Sequence, residues 1–367
     1  MAEENRPEND VLDDVTENEA VENDIPVNQF DITGKFKQEK PQSKPVSNPA
    51  RRGLVGVTDK KVETKRLIIF LALCFGVTWV TELFGVIPMY RSGDIETVKE
   101  AADLISQIML APAFAALVTR LFTREGLVKS GFQFNFSEQR FLFLFGWFGT
   151  SILALLGAVI YFLVFRDNFD PNMTNFVASY SESAANAGTQ ITPVEIVAGV
   201  KTDLLIKFFT AAVLDVINAF GEEWGFRAYL LPKLFRKIGT IPAMLISGFA
   251  SGLWYAPLVA IGYYYGEGNS GFPVVNILAM CVFGTITGVI YSFLTLRTGS
   301  IFPAVFAHSA LNVMMGQASQ FTFDGGNFFI GPAPTGVLAG IPLVITAVIC
   351  LIHIHKYPVQ ASTEEEG

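Results

Sequence analysis

Charge, histidine and cysteine are all scarce in this sequence. Only 16% of its 367 residues are Asp, Glu, Lys or Arg, against about 25% in soluble globular proteins. That deficit excludes an ordinary cytosolic enzyme. Cysteine is confined to Cys74, Cys281 and Cys350. Each falls inside an apolar run and no pair has metal-ligand spacing, so all three read as small buried hydrophobes. The N-terminus lacks a basic region followed by an apolar stretch, and no cleavable signal peptide is expected. A basic face is missing too. The formal charge is −8, and residues 1–50 carry 12 acids against 5 bases, a net of −7. Residues 51–367 then balance 22 acids against 21 bases. Nothing there neutralises phosphates, so nucleic acid is not an expected partner.

What the chain has is apolar length. Hydrophobic residues make up 51%, Phe alone numbers 33, and the mean hydropathy is +0.41. Several apolar runs exceed the 18 or so residues that mark a transmembrane helix. The expected fold class is all-α, a polytopic membrane protein with about eight transmembrane helices. The spans run at about 67–87, 104–122, 141–165, 208–231, 240–262, 274–296, 300–318 and 335–355. Residues 1–60 are polar, acidic and punctuated by Pro, and read as a disordered tail. Residues 61–358 form the membrane domain, and 359–367 a short acidic C-terminal tail.

Positive charge sets the orientation. Fifteen Lys or Arg lie before the first span, between the second and third, and after the fourth, sixth and eighth. The alternate loops hold five: Arg91, Lys99, Arg166, Lys201 and Lys207. Both termini are therefore expected in the cytoplasm. The polar stretch 166–203 on the opposite side reads as a short interfacial helix or a lid. No internal repeat is visible, which weighs against a transporter built from inverted halves.

The fourth span is the unusual one. It contains Asp215, Asn218, Glu222, Glu223 and Arg227, and charges at membrane depth usually face a cavity or one another and mark function. Spacings of three and four put Asp215, Asn218 and Glu222 on one helical face. Glu223 and Arg227, four apart with the acid first, form a favourable ion pair. Glu222 is left without an intrahelical partner, which suits a general base. It lies eleven residues before Lys233, about 16 Å along a helix and close to the bilayer midplane. His308 lies eleven residues after Arg297, at similar depth, with Asn312 one turn on. The other two histidines, His353 and His355, sit beside Lys356 and read as interfacial.

At these residues the sequence resembles the CAAX prenyl protease type 2 and bacteriocin-processing (CPBP, or Abi) family of intramembrane proteases. The first motif, Glu-Glu-x-x-x-Arg, stands as Glu222-Glu223-Trp224-Gly225-Phe226-Arg227, followed by Tyr229-Leu230-Leu231-Pro232. The last, His-x-x-x-Asn, is His308-Ser309-Ala310-Leu311-Asn312, preceded by Arg297-Thr298-Gly299-Ser300. The resemblance covers about residues 200–320. The middle motif departs from it. Where the family has Phe-x-x-x-His, this chain reads Ser251-Gly252-Leu253-Trp254-Tyr255-Ala256-Pro257, with Tyr255 at the histidine position and Ser251 at the Phe position.

The resemblance implies an intramembrane endopeptidase acting on a membrane-embedded or lipidated peptide. Glu222 would be the general base, His308 and Asn312 the oxyanion donors, and Glu223, Arg227 and Tyr255 their supports. A phenol with a pKa of about 10 orients water but is a poor base near neutrality. The alternative is therefore a catalytically impaired relative that binds or regulates a membrane partner. A proton-coupled transporter using Asp215 and Glu222 is a third, weaker reading. No cofactor is expected. Zinc enters only through the metalloprotease name attached to the family, because adjacent Glu222 and Glu223 point about 100° apart on a helix. The tyrosines of Gly262-Tyr263-Tyr264-Tyr265-Gly266 read as an interfacial aromatic belt.

Overall fold

The computed structural model describes residues 60–126, 131–324 and 326–359. The expected acidic tail, apart from Lys60, and nearly all of the expected C-terminal tail lie outside them. Among the described residues the secondary structure is helical, with two isolated β-bridges and no strand. The helices are α1 (Lys60–Thr81), α2 (Ile87–Tyr90), α3 (Ile95–Ile108), α4 (Ala111–Phe122), α5 (Phe136–Leu144), α6 (Thr150–Val164) and α7 (Thr174–Asn186). They continue with α8 (Pro193–Leu214), α9 (Val216–Glu223), α10 (Leu231–Ile238), α11 (Thr240–Trp254), α12 (Ala256–Val259), α13 (Val274–Thr298), α14 (Phe302–Met314) and α15 (Ile341–Lys356).

Four stretches are long and apolar enough to cross a membrane: Lys61–Tyr90, Ile95–Phe122, Phe136–Val164 and Val274–Thr298. A fifth is added if α8 and the helix Val216–Ile238, bent by 41° at Asp215, count as one. The chain is thus a polytopic integral membrane protein with four to five candidate spans. The other expected spans coincide with shorter helices: α11 has 15 residues, α14 has 13 and α15 has 16. Local chemistry shortens two of them. Pro257 follows Trp254 closely and cannot continue the hydrogen-bond ladder, and α14 begins only at the Pro303 turn. The polar stretch after α6 contains the helix α7. All three cysteines are free and buried.

Breaks in these helices are chemically satisfied. Tyr255, at φ −79° and ψ 2°, ends α11. The Trp254 carbonyl released there accepts from the Trp79 indole at 3.0 Å, and the Trp254 indole donates to Thr78 at 2.8 Å. Such re-pairing is what allows a broken helix at membrane depth. Helices α11 and α13 then touch backbone to backbone. A Cβ on Gly284 would lie 2.6 Å from the Cα and N of Gly252, which is the close approach that small residues permit. Gly284→Leu is expected to force the pair apart, costing about 1–3 kcal/mol or more. A detergent melting curve unchanged by that substitution would contradict the contact.

At one end of the bundle a buried ion network joins α1, the α4 end and α10. Glu63 pairs with Arg66 at 3.0 Å and Arg236 at 3.2 Å, and Glu125 accepts from Lys233 and lies 3.4 Å from Arg66. Lys233 also sits 4.1 Å from the centre of the Tyr229 ring. Burial alone would raise the Glu125 carboxyl, but Lys233, Arg120 and Arg66 together hold it below its ordinary value of 4.5. A lowered folded value means that its stabilisation is fully present above the ordinary value and is lost as pH falls through the folded one. Acid melting of the purified protein should therefore lose stability below about pH 4.5. Glu125→Gln should flatten that limb while lowering the melting temperature at pH 7. An acid limb that persists in Glu125→Gln would assign it to other carboxylates.

Candidate active site

Three irregularities converge around Glu222. The first is the break at Asp215, whose φ of −118° takes it out of helical geometry between α8 and α9. The second is a seven-residue π-helix, Trp224–Leu230, directly after the two glutamates. Such π segments are inserted at functional sites at a cost in helix regularity. The third is the break at Tyr255. Residues Glu222, Glu223 and Arg227 are essentially inaccessible, and His308 is also buried.

The side chains pair in a definite order. Tyr255 Oη donates to Glu222 Oε1. Glu223 takes two partners: its Oε1 lies 2.8 Å from His308 Nδ1, and its Oε2 is 3.2 Å from Arg227 Nε. The second contact is an ion pair by distance, with an angle that falls short of a hydrogen bond. Arg227 also donates to Ser251 Oγ at 3.3 Å, and Ser251 donates in turn to the Gly248 carbonyl at 2.9 Å. Asn312 Nδ2 donates to Asp215 Oδ2 at 2.8 Å.

His308 and Asn312 are carried into place by a tight hairpin. Gly299 closes α13 in the left-handed region at φ 70°, where glycine is favoured. Pro303 then starts α14 in its first turn, where a missing N–H is harmless. Glu222 and His308 are brought to one cavity, but the partners differ. His308 pairs with Glu223 rather than Glu222. The common face of Asp215, Asn218 and Glu222 is interrupted by the break: Asn218 donates to Asp215 at 2.7 Å, while Glu222 turns to Tyr255.

Around these groups is a cavity of about 40 Å³, lined by Glu222, Glu223, Arg227, Tyr255, His308 and Asn312 among others. A water needs roughly 10–15 Å³ measured in this way, so the space suits a few waters. Further residues also line it that the sequence reading did not single out as site residues. Tyr291 stacks on His308 with ring centres 5.2 Å apart and planes 19° apart, and Arg227 lies 5.5 Å from the same ring. Tyr264 lines the cavity and packs edge-on against Tyr255 at 5.8 Å, while Tyr265 is buried against Phe329. The aromatic-belt reading of Tyr264 and Tyr265 is therefore corrected: both point into protein. Ser251 could have been found from its place in the middle motif. Tyr291 left no signal, being one apolar-run tyrosine among several.

Residues 204–314 match the family model described as type II CAAX prenyl endopeptidase Rce1-like. That stretch of the chain is similar to this family. The search of curated proteins and the search of solved structures each gave no match. The Rce1-like domain runs from within α8 to the end of α14, so it contains every polar residue of the cavity named above. It is consistent with the CPBP resemblance read from the motifs. The side chains that zinc would need as donors are paired with one another. Both oxygens of Glu223 are engaged, as is His308 Nδ1, and Glu222 Oε1 accepts from Tyr255 Oη. Among the described residues no group of three or more His, Cys, Asp or Glu is placed to hold a metal ion.

Proposed function

We propose that this chain is an intramembrane endopeptidase in which Glu222 activates water against a peptide bond of a membrane-embedded or lipidated substrate. The observation that carries the reading is the shared cavity: a buried carboxylate, a buried imidazole and an amide face one water-sized space inside an Rce1-like domain. Tyr255 occupies one Glu222 oxygen and leaves the other for water. Glu222 takes a proton as the water oxygen bonds to the carbonyl carbon. The oxyanion is received by His308 and Asn312. Collapse then breaks the C–N bond, and Glu222 returns the proton to the leaving amine. With Nδ1–H held by Glu223, the doubly protonated ring would present Nε2–H to the oxyanion. Arg227 holds Glu223 from the other side, and no step passes through a metal.

The proposed topology has eight passages with both termini cytoplasmic, the short helices α11, α14 and α15 supplying three of them. Fifteen basic residues on one side against five on the other support it. The substrate would then enter from the cytoplasmic leaflet. The test is a proteome-wide comparison of peptide termini in membranes holding wild-type protein or Glu222→Gln. Termini that vanish in the variant identify the substrate, and their absence would sink the peptidase reading.

A second reading has one specific observation in its favour. Glu222 is hydrogen-bonded by a phenol where the family carries an imidazole. A site closed in this way suits a membrane protein that binds and regulates a partner without cleaving it.

A further inference from the structure

Asp215 belongs to none of the steps above, yet both of its carboxylate oxygens are hydrogen-bonded. Its Oδ1 accepts from Asn218 Nδ2 at 2.7 Å, and its Oδ2 from Asn312 Nδ2 at 2.8 Å. Asn218 spends its second N–H on Ser106 of α3 at 2.9 Å. The backbone is anchored as well. Asp215 N–H donates to Ser309 Oγ at 3.0 Å, and Ser309 donates to the Ala211 carbonyl at 2.7 Å. The helix break therefore grips α14 twice, once through Ser309 and once through Asn312, while Asn218 braces it against α3.

The chemistry of these contacts fixes an orientation. An ionised carboxylate only accepts, so each amide facing it must present its NH₂ side. Asn312 thus spends one N–H on Asp215 and keeps one. Asn312 lines the cavity, and Asp215 is not among the lining residues. Among the described residues, Asn312 is the cavity-lining side chain that is hydrogen-bonded to Asp215. We propose that Asp215 is a positioning residue: its carboxylate holds the Asn312 amide so that the second N–H faces the space shared by Glu222 and His308. The helix break is the device that makes this geometry available. In a continuous helix the backbone N–H of Asp215 would belong to Ala211, and Ser309 would have no donor to receive.

The consequence for turnover rests on the peptidase reading, and the test separates the two. The full chain, labelled with ¹⁵N-asparagine in detergent micelles, gives an Asn312 side-chain signal identified by its loss in Asn312→Ala. Asp215→Ala is expected to shift one of its two proton signals. An Asn312 amide unmoved by Asp215→Ala overturns the proposal, whether or not the protein is a peptidase. Cleavage at Glu222-dependent sites supplies the second arm. Asp215→Ala and Asn312→Ala should each lower it at least tenfold, and the double variant should match Asn312→Ala within about twofold. Losses that multiply would show that Asp215 acts on the fold rather than through Asn312, and would overturn the proposal. Wild-type protein without Glu222-dependent cleavage, but with an Asp215-sensitive Asn312 signal, would remove the peptidase reading and keep the positioning role.

Discussion

Glu222→Gln is expected to lower cleavage by about 10²–10⁴-fold, the usual contribution of a general acid–base group, while the protein stays folded. The amide keeps the size of the carboxylate, and its oxygen still accepts from Tyr255, but it has no basic site for the proton of water. Among the described residues Glu222 has Tyr255 as its hydrogen-bond partner and no ion pair within 4 Å, while His308 and Arg227 line the same cavity at longer range. Replacing it by a neutral amide removes a desolvation cost and breaks no ion pair. The melting temperature in detergent should therefore be equal or higher. The neighbouring residue should behave in the opposite way. Glu223 lies between Arg227 and His308, so Glu223→Gln leaves Arg227 without its carboxylate partner at zero exposure. That change should cost about 3–5 kcal/mol and lower the melting temperature before any effect on chemistry can be read. Turnover within tenfold of wild type in folded Glu222→Gln would remove the base. Equal melting losses in the two variants would mean that the adjacent carboxylates share one structural role.

The contrast between these two glutamates also shows what the sequence could and could not disclose. The Glu223–Arg227 pair was legible because a four-residue spacing within one helix fixes proximity by geometry alone. The π segment begins only at Trp224 and does not disrupt the contact. That Glu222 and His308 belong together was legible from their equal eleven-residue distances to Lys233 and Arg297, and both line the cavity. Which carboxylate receives His308 was not legible. Rotation of α14 about its axis is set by the Gly299 turn, the Ser309 contacts and the packing of Tyr291, none of which has a periodic signature. The break at Asp215 was missed for a related reason. No proline or glycine marks it, and it exists because Ser309, ninety-four residues away, pairs with the backbone groups it exposes. Span counting failed to reach eight by length because helices buried in a bundle need not present a full bilayer width of continuous helix. Trp254–Tyr255 and the Pro303 turn interrupt two of them while Trp79 and Ser300 re-pair freed backbone groups.

Tyr255→His should raise Glu222-dependent cleavage, by as much as about 10²–10⁴-fold if the imidazole serves as a second acid–base group beside Glu222. The backbone should accept the change. Tyr255 occupies a helix break whose φ and ψ are open to any L-residue, and the Trp254 hydrogen bonds at the break do not involve the side chain at 255, whose ring packs edge-on against Trp254 at 4.7 Å. Tyr255→Phe is the necessary companion. It removes the hydrogen bond to Glu222 and leaves a buried acceptor without a partner, at a cost of about 1–3 kcal/mol. If Tyr255 holds Glu222 for catalysis, Phe should lower turnover at least tenfold and His should raise it. If wild type is inert and His creates cleavage, the second reading is correct, and the phenol is what keeps a complete Rce1-like constellation closed. If His changes nothing in an active wild type, the phenol is already competent and the middle-motif imidazole is dispensable in this chain. The discriminating quantity is the ratio of Tyr255→His to wild type at the same Glu222-dependent termini. That ratio cancels differences in substrate supply, and it can be read beside Tyr255→Phe in the same membranes. A ratio below one, with His no better than Phe, would mean that Glu222 needs the reach of the phenol, since the imidazole ends short of Tyr Oη and leaves Glu222 unpaired in its cavity.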